Sequence, residues 1–486
     1  MSLSFEQEPV NATSKVPVIT NWTPAIGYML FYDASIAAFF YFKLILEVRL
    51  TDATGTLLGK IKQRRNGYSD DVFNNKARAF FDLREIANTQ LIDTVIDQND
   101  TGVPFRTIHK VGANTTTKIY SQNGDSSTGK TQIIALYVKG YYEKSDAANA
   151  SPTEVTGGAI NDTLYYLQAS LPLMTPRSTV TSPAPGYIQG TDFDVFNGNS
   201  ATDRFLSDLE TSSGDYNITG YINYVQETDY HTVAFLNDNS NFASNISKVS
   251  ISYYNSAGTL IGGTSYAFIN NNAAGGSDPT TETNTDAERL LYFGAGPGNL
   301  ETQTAFAGAK PSNSAGWAYY VVKGTDAFTL ARTANYYFIK QDGSCKGFKV
   351  RRLAWRNSVG GYDYFNFKKK STQTVEVQRN NYSTMLGTFN KSQWRYNNTQ
   401  RGKTTRQTTA VLKETLNTDW ISEQDGNLLE KLLMSTSVYI IENTDTDYTE
   451  AVMITDSSHV RKTIANDRMI RYTINIEYAN PLNTNS

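Results

Sequence analysis

Apolar and polar positions alternate in many short runs along this chain, and few stretches follow a helical period. KVSISYY (248–254) alternates apolar and polar residues, the pattern of a strand with one solvated face. TVAFLND (232–238), RLLYFGAG (289–296), AYYVVK (318–323) and ANYYFIK (334–340) are dense in β-branched and aromatic residues, as buried strands are. In YTINIEYA, residues Tyr472, Ile474, Ile476 and Tyr478 share one face. Polar segments rich in turn residues, such as NNNAAGGSDPTTETNTD (270–286), separate the runs. The pattern predicts a mainly β, multidomain chain of antiparallel β-sandwiches with a few short helices.

The longest apolar stretch, Ile26 to Val48, is interrupted by Asp33 and Lys43. A membrane span needs about 20 uninterrupted apolar residues, so the stretch predicts two buried strands joined by a turn near Asp33 to Ser35. After YFKLILEVRL, the Thr54-Gly55 turn and LLGKIKQ complete a strand pair. RAFFDLREIANTQLIDTVI (78–96) predicts a helix, with Leu83, Ile86, Ala87, Leu91 and Val95 at helical spacing. Asp82 is its candidate cap, with Glu85 three residues on. Residues 145–160 read as a polar loop, and NDTLYYLQ resumes strand character. A second helix is expected after Thr418 or Ser422, with Leu428, Leu429, Leu432 and Leu433 on its apolar side. Residues 171–190 hold four of the thirteen prolines and suggest a boundary. The expected domains are 1–175, 176–345 and 346–486.

GDSSTGKT (Gly124 to Thr131) matches the phosphate-loop pattern G-x-x-x-x-G-K-[ST]. That chemistry needs a buried apolar strand before the loop and a helix after it. Here TTTKIYSQN precedes and the strand-like QIIALYVKGYYEK follows. The stretch therefore reads as a hairpin tip with Lys130 in solvent. GAGPG (294–298) lacks the third glycine of a dinucleotide fingerprint and reads as a loop after a buried strand.

The chain has 486 residues, 39% of them hydrophobic, with 31 Tyr and 23 Phe, enough for several cores. A formal charge of −3 makes no overall case for nucleic acid or an acidic membrane as partner. The single cysteine, Cys345, permits no intrachain disulfide. His109, His231 and His459 stand far apart with no ligand spacing, so each reads as a surface or structural residue. The N-terminus shows no secretory signal pattern. No metal, cofactor or catalytic set emerges, and no enzyme is expected.

Three further groups could carry function. Trp355, Tyr362, Tyr364, Phe365 and Phe367 could form a carbohydrate-stacking platform, but read better as core around a Gly360-Gly361 turn, with Asp363 at a turn or strand end. Asp203, Asp208, Glu210, Asp238 and Asp278 are loop acids from which no glycosidase pair stands out. Lys368, Lys369, Lys370, Arg379, Lys391, Arg395, Arg401, Lys403 and Arg406 make residues 368–406 basic. This segment could touch DNA, meet an acidic face of a neighbouring subunit, or be solvated; it is the candidate interface.

LAWRNSVGGYDYFNF, DWISEQDGNLLEKLLMSTSVYII and MITDSSHVRKTIANDRMIRYTINIEYAN together resemble the C-terminal region of tailed-phage virion structural proteins, as in phages of Bacteroidetes and marine bacteria. YFKLILEVRL, GKIKQRRNG and RAFFDLREIANTQL are similar to the opening of the same proteins. The resemblance implies a virion component of the tail or baseplate, assembled in the host cytoplasm, with copies of itself and other tail proteins as partners. It implies no catalytic residues. A receptor- or glycan-binding module at the tail tip, sited in the middle section, is the alternative.

Overall fold

The computed structural model describes residues 2–5, 18–19, 26–32, 39–50, 52–64, 76–90, 119–121, 133–167, 205–236, 246, 248–263, 265–269, 290–301, 316–326, 329–341, 347–441, 449–458 and 470–482. The first strands are β1 (Ser2–Phe5), β2 (Val18–Ile19), β3 (Ile26–Tyr32), β4 (Phe40–Leu50), β5 (Leu57–Arg64) and β6 (Lys76–Phe81). Helix α1 (Arg84–Gln90) follows, then β7 (Ile119–Ser121), β8 (Ile133–Ser145) and β9 (Thr153–Leu167). The middle of the chain forms β10 (Thr211–Ser213), β11 (Thr219–Val225), β12 (Thr232–Leu236), β13 (Lys248–Tyr254) and β14 (Tyr266–Ile269). It continues with β15 (Leu290–Gly294), the short helix α2 (Pro297–Glu301), β16 (Tyr319–Thr325) and β17 (Tyr336–Lys340).

The last part forms β18 (Arg351–Arg356), β19 (Tyr362–Phe367), β20 (Thr372–Ser383), β21 (Thr388–Asn390), β22 (Gln393–Arg395) and β23 (Lys403–Asn417). Helix α3 (Glu423–Met434), β24 (Val438–Ile441), β25 (Thr449–Ile454) and β26 (Thr473–Tyr478) complete it. The fold is mainly β, in several antiparallel sheets with few short helices. Two compact units emerge: Met1–Gln341 with Asn357–Asp363, and Asp342–Arg356 with Tyr364–Ser486.

In the first unit, the sheets β1-β3-β6 and β2-β9-β8-β4-β5 share one core. Strand periodicity explains it: Leu44, Leu46 and Val48 meet Leu136 and Val138 on one face, against Ala77, Ala79 and Phe81. Two strands form within the long apolar stretch, but β3 and β4 belong to different sheets. RAFF is strand rather than helix, because Ala77, Ala79 and Phe81 are buried at period two. The helix starts only at Arg84, with Ala87 N–H donating to Leu83 O at 2.9 Å; Leu91 and Val95 lie outside the described residues. The expected loop 145–160 is short, since β9 begins at Thr153 and pairs with β8.

The sheets β10-β11-β17-β16-β13-β14 and β12-β15-β7 share a second core that includes Val249, Tyr253, Phe235, Phe293, Tyr320 and Phe338. KVSISYY was expected to have a solvated face, yet Ser250 and Ser252 are also buried. The reason is a second apolar cluster on that side of the sheet: Ser252 pairs with Val321, which clusters with Tyr319 and Tyr337, and Ser252 Oγ lies 2.6 Å from Ser265 Oγ. The strands on either side of GDSSTGKT both form, but β7 pairs with β15 and β8 with β4 and β9, so they are not hairpin partners. A strand stands where a phosphate loop needs its helix. Gly124–Thr131, Lys130 included, lie outside the described residues, as do 171–190.

In the second unit, a sheet runs β19-β18-β24-β25-β26-β23-β20. Tyr472, Ile474, Ile476 and Tyr478 are all buried, as their alternation predicts. Ser422 caps α3 in a capping box with Asp425. Thr418 instead accepts from the N–H of Tyr472 through its Oγ1, at 2.9 Å. Leu428, Leu429 and Leu432 are buried under the helix.

Candidate interaction surface

The basic segment folds into a ribbon. β20 and β23 pair from Thr372↔Thr415 to Ser383↔Lys403, with a bulge at Asn380/Asn381. β26 continues the sheet only against Lys413–Asn417. Beyond that point, among the described residues, the ladder is two strands wide for about 30 Å, at roughly 3.3 Å per residue, with Leu482 N donating to Ala410 O at 3.0 Å near its start. Every residue of β20 is exposed, and no residue from Thr372 to Arg406 is buried. The sequence explains the exposure: threonine, glutamine and asparagine dominate both strands, and neither face offers a continuous apolar row.

Buried polar bonds fix the root of this ribbon. Arg351 Nε donates to Glu414 Oε1 at 2.8 Å; Tyr478 OH and Gln373 Nε2 donate to Oε2 at 2.7 and 3.1 Å. Burial opposes ionisation of Glu414, but the bonds from Tyr478, Gln373 and Arg351 outweigh it and hold its pKa below the ordinary value. Gln373 lies in β20 and Glu414 in β23, so the carboxylate ties both strands to the sheet.

The far end is a small ordered knob. β21 and β22 set Phe389 opposite Trp394, and Trp394 Nε1 donates to Leu386 O at 3.0 Å. Thr384 N donates to Gly402 O at 2.9 Å, and Gly387 N to Gln400 Oε1 at 2.8 Å. Gly387 adopts φ +95°, and a Cβ there would sit 2.4 Å from Trp394 Nε1. Met385, Phe389, Trp394 and Tyr396 nevertheless expose 80%, 66%, 48% and 67% of their surface.

The expected interface residues fall along this one element. Arg379 stands on β20, Arg395 on β22, Lys391 and Arg401 in the knob, and Lys403 and Arg406 on β23. Among the described residues these six cations form no ion pair; Arg395 donates to Gln393 Oε1 at 3.4 Å. Lys368, Lys369 and Lys370 lie before the root, with Lys369 Nζ 3.0 Å from Asp419. The cations are spread over the ribbon and do not converge on one pocket. Sequence reading found the charge but missed the ribbon; only VEVQ, within β20, alternates apolar and polar positions.

Other sequence candidates resolve differently. Trp355, Tyr362, Tyr364 and Phe367 are buried and Phe365 is half-buried, so they are core. Asp363 stands at a strand end, as expected, second in β19, and it is fully buried in the first unit. It accepts from Ser207 Oγ at 2.5 Å and from Asp208 N at 2.8 Å. Burial, then the neighbouring Asp208, push its pKa up to about 7. Asp208 accepts from Ser358 N at 2.7 Å and from the Ser358 hydroxyl. Glu210 is exposed, and Asp203, Asp238 and Asp278 lie outside the described residues.

His231 is buried, with Nε2 3.1 Å from Tyr336 OH; His109, His459 and Cys345 lie outside the described residues. GAGPG packs against the 228–231 backbone, where a Cβ on Gly296 would lie 2.5 Å from Asp229 O. Sequence reading also missed a tyrosine stack on the middle sheet. Tyr319 lies between Tyr254 (5.0 Å, 8°) and Tyr216 (5.1 Å, 24°). Tyr216 and Asn217 hold left-handed φ of +62° and +60°. Among the described residues no helix is long and apolar enough to cross a membrane. No protein-family model and no curated protein matches this sequence.

Proposed function

We propose that this chain is a structural component of a tailed-phage virion, an adaptor of the tail or baseplate that assembles by protein–protein contacts. The observation that carries the reading is the ribbon from Thr372 to Arg406, ordered from root to knob and buried nowhere. A lone two-stranded ribbon is marginally stable in water, and one that displays Phe389, Trp394 and Met385 gains by docking. The resemblance of both chain ends to virion proteins supports the same reading. The chain would act by shape and burial, with no catalytic step, and would join the particle in the host cytoplasm. The test is labelling of the phage particles with antibody to residues 384–402, before and after mild disruption. Label at one station of the tail is expected; no label on intact or disrupted particles would reject the reading.

The stacked Tyr216, Tyr319 and Tyr254 favour a second reading, a receptor- or glycan-binding module at the tail tip. Flat aromatic rings stack on sugar faces, and left-handed non-glycine backbone collects at binding sites. Saturable binding of host glycan that is lost in Tyr216→Ala would favour this reading over the first.

A further inference from the structure

We infer that the ribbon Thr372–Arg406 docks on a second copy of this chain, a step that deepens the assembly reading by naming its first partner. Charge points to the occupant. The ribbon carries six cations against one anion, Glu376, and so is net +5. The whole chain is −3, which leaves −8 on the remainder. Glu376 is itself paired with Lys413, so it does not neutralise the ribbon's own cations. A basic arm on a chain whose remainder is net acidic is complementary in charge to a second copy of itself.

Size agrees. A partner contributes roughly 20–30 residues to a standard interface, and the exposed stretch from Thr372 to Arg406 is longer than that. Composition agrees too. Interface centres are rich in aromatic residues, Met and Arg; the knob shows Met385, Phe389, Trp394 and Tyr396 beside Arg395 and Arg401. On β20, Val375 and Val377 lie on one face with their ladder partners Leu412 and Ala410, next to Arg379. The Trp394–Leu386 and Gln400–Gly387 bonds, though exposed, hold the shape of the knob before any partner arrives.

The test is photo-crosslinking of the full-length chain with benzoylphenylalanine in place of Phe389, prepared as an equal mixture of natural-abundance and nitrogen-15 protein. The expected result is crosslinked peptides carrying both isotopes, joining residue 389 to another copy. Their yield should fall several-fold in high salt, and likewise in the combined variant Arg379→Gln, Arg395→Gln, Arg401→Gln. These arginines are exposed and form no ion pair among the described residues, so the variant should keep the wild-type melting profile. A Phe389→Ser, Met385→Ser variant gives an independent check and should also lower the mass of the assembly. Absence of mixed-isotope crosslinks at every concentration overturns the inference. So does protection of the ribbon by added DNA with no crosslink between copies. Particle labelling with the knob antibody would remain positive if the ribbon instead engages a different virion protein, which separates this failure from that of the assembly reading.

Discussion

Arg351 donates to the buried carboxylate of Glu414 at 2.8 Å, and that pair stands at the root of the ribbon. Breaking it from the acid side removes the carboxylate to which Arg351, Gln373 and Tyr478 all donate. Glu414→Gln is expected to cost about 3 kcal/mol in urea denaturation. The pH sign follows from the direction of the shift. Glu414 ionises more readily in the fold than in the unfolded chain, so its contribution is present above the ordinary glutamate pKa. It is lost as pH falls through the lower folded value. The variant should lack this part of the acid sensitivity.

A second carboxylate network lies on the five-stranded sheet of the first unit. Glu143 pairs with Lys43 at 3.2 Å and Lys62 at 2.5 Å; Glu47 pairs with Arg49 at 2.7 Å. Burial opposes ionisation at both, but the cations prevail and lower both pKa values. Acidification below the usual carboxylate range should therefore lower the melting temperature. Glu143→Gln should melt earlier at neutral pH, and the difference from wild type should shrink toward pH 3.

Asp363 should behave in the opposite sense. Its folded pKa is about 7 against an ordinary 3.8. Its stabilising form is the protonated one, fully effective below the unfolded value and lost as pH rises through about 7. Asp363→Asn should gain stability relative to wild type as pH climbs from 4 to 8. The gain should be on the order of a few kcal/mol, read from paired melting curves.

Asn217 holds φ +60° directly after Tyr216 at +62°. Glycine carries no Cβ penalty there. Asn217→Gly should raise stability by roughly 0.5 kcal/mol or leave it unchanged, because Asn already tolerates this region better than most residues. A large loss in thermal denaturation would show that the Asn217 side chain does more than occupy the turn.

Much of the sheet content was legible because it rests on local chemistry. AYYVVK, ANYYFIK and YTINIEYA are strands for the reason their alternation and branching give. Partnership was not legible. Nothing in Ile119–Ser121 says that it joins β15 rather than β8, because strand pairing depends on distant residues. RAFF misled because Ala and Phe suit either period, and only burial of Ala77, Ala79 and Phe81 on one face settles it. The candidate surface was half legible. Its cations could be counted, but nothing within β20 itself shows that β23 is, among the described residues, its only ladder partner. The strand-end position of Asp363 was legible, but its burial was not, because its partners Ser207 and Asp208 lie about 150 residues away.

The central claim is that the chain assembles through its ribbon, and mass in solution tests it most directly. Light scattering should be run across a concentration series, at low and high salt, on wild type and on the Arg379→Gln, Arg395→Gln, Arg401→Gln variant. The account expects wild type to reach a closed oligomer of defined size at low salt, and the variant to remain smaller at every concentration. Equal masses for wild type and variant under all conditions would contradict it.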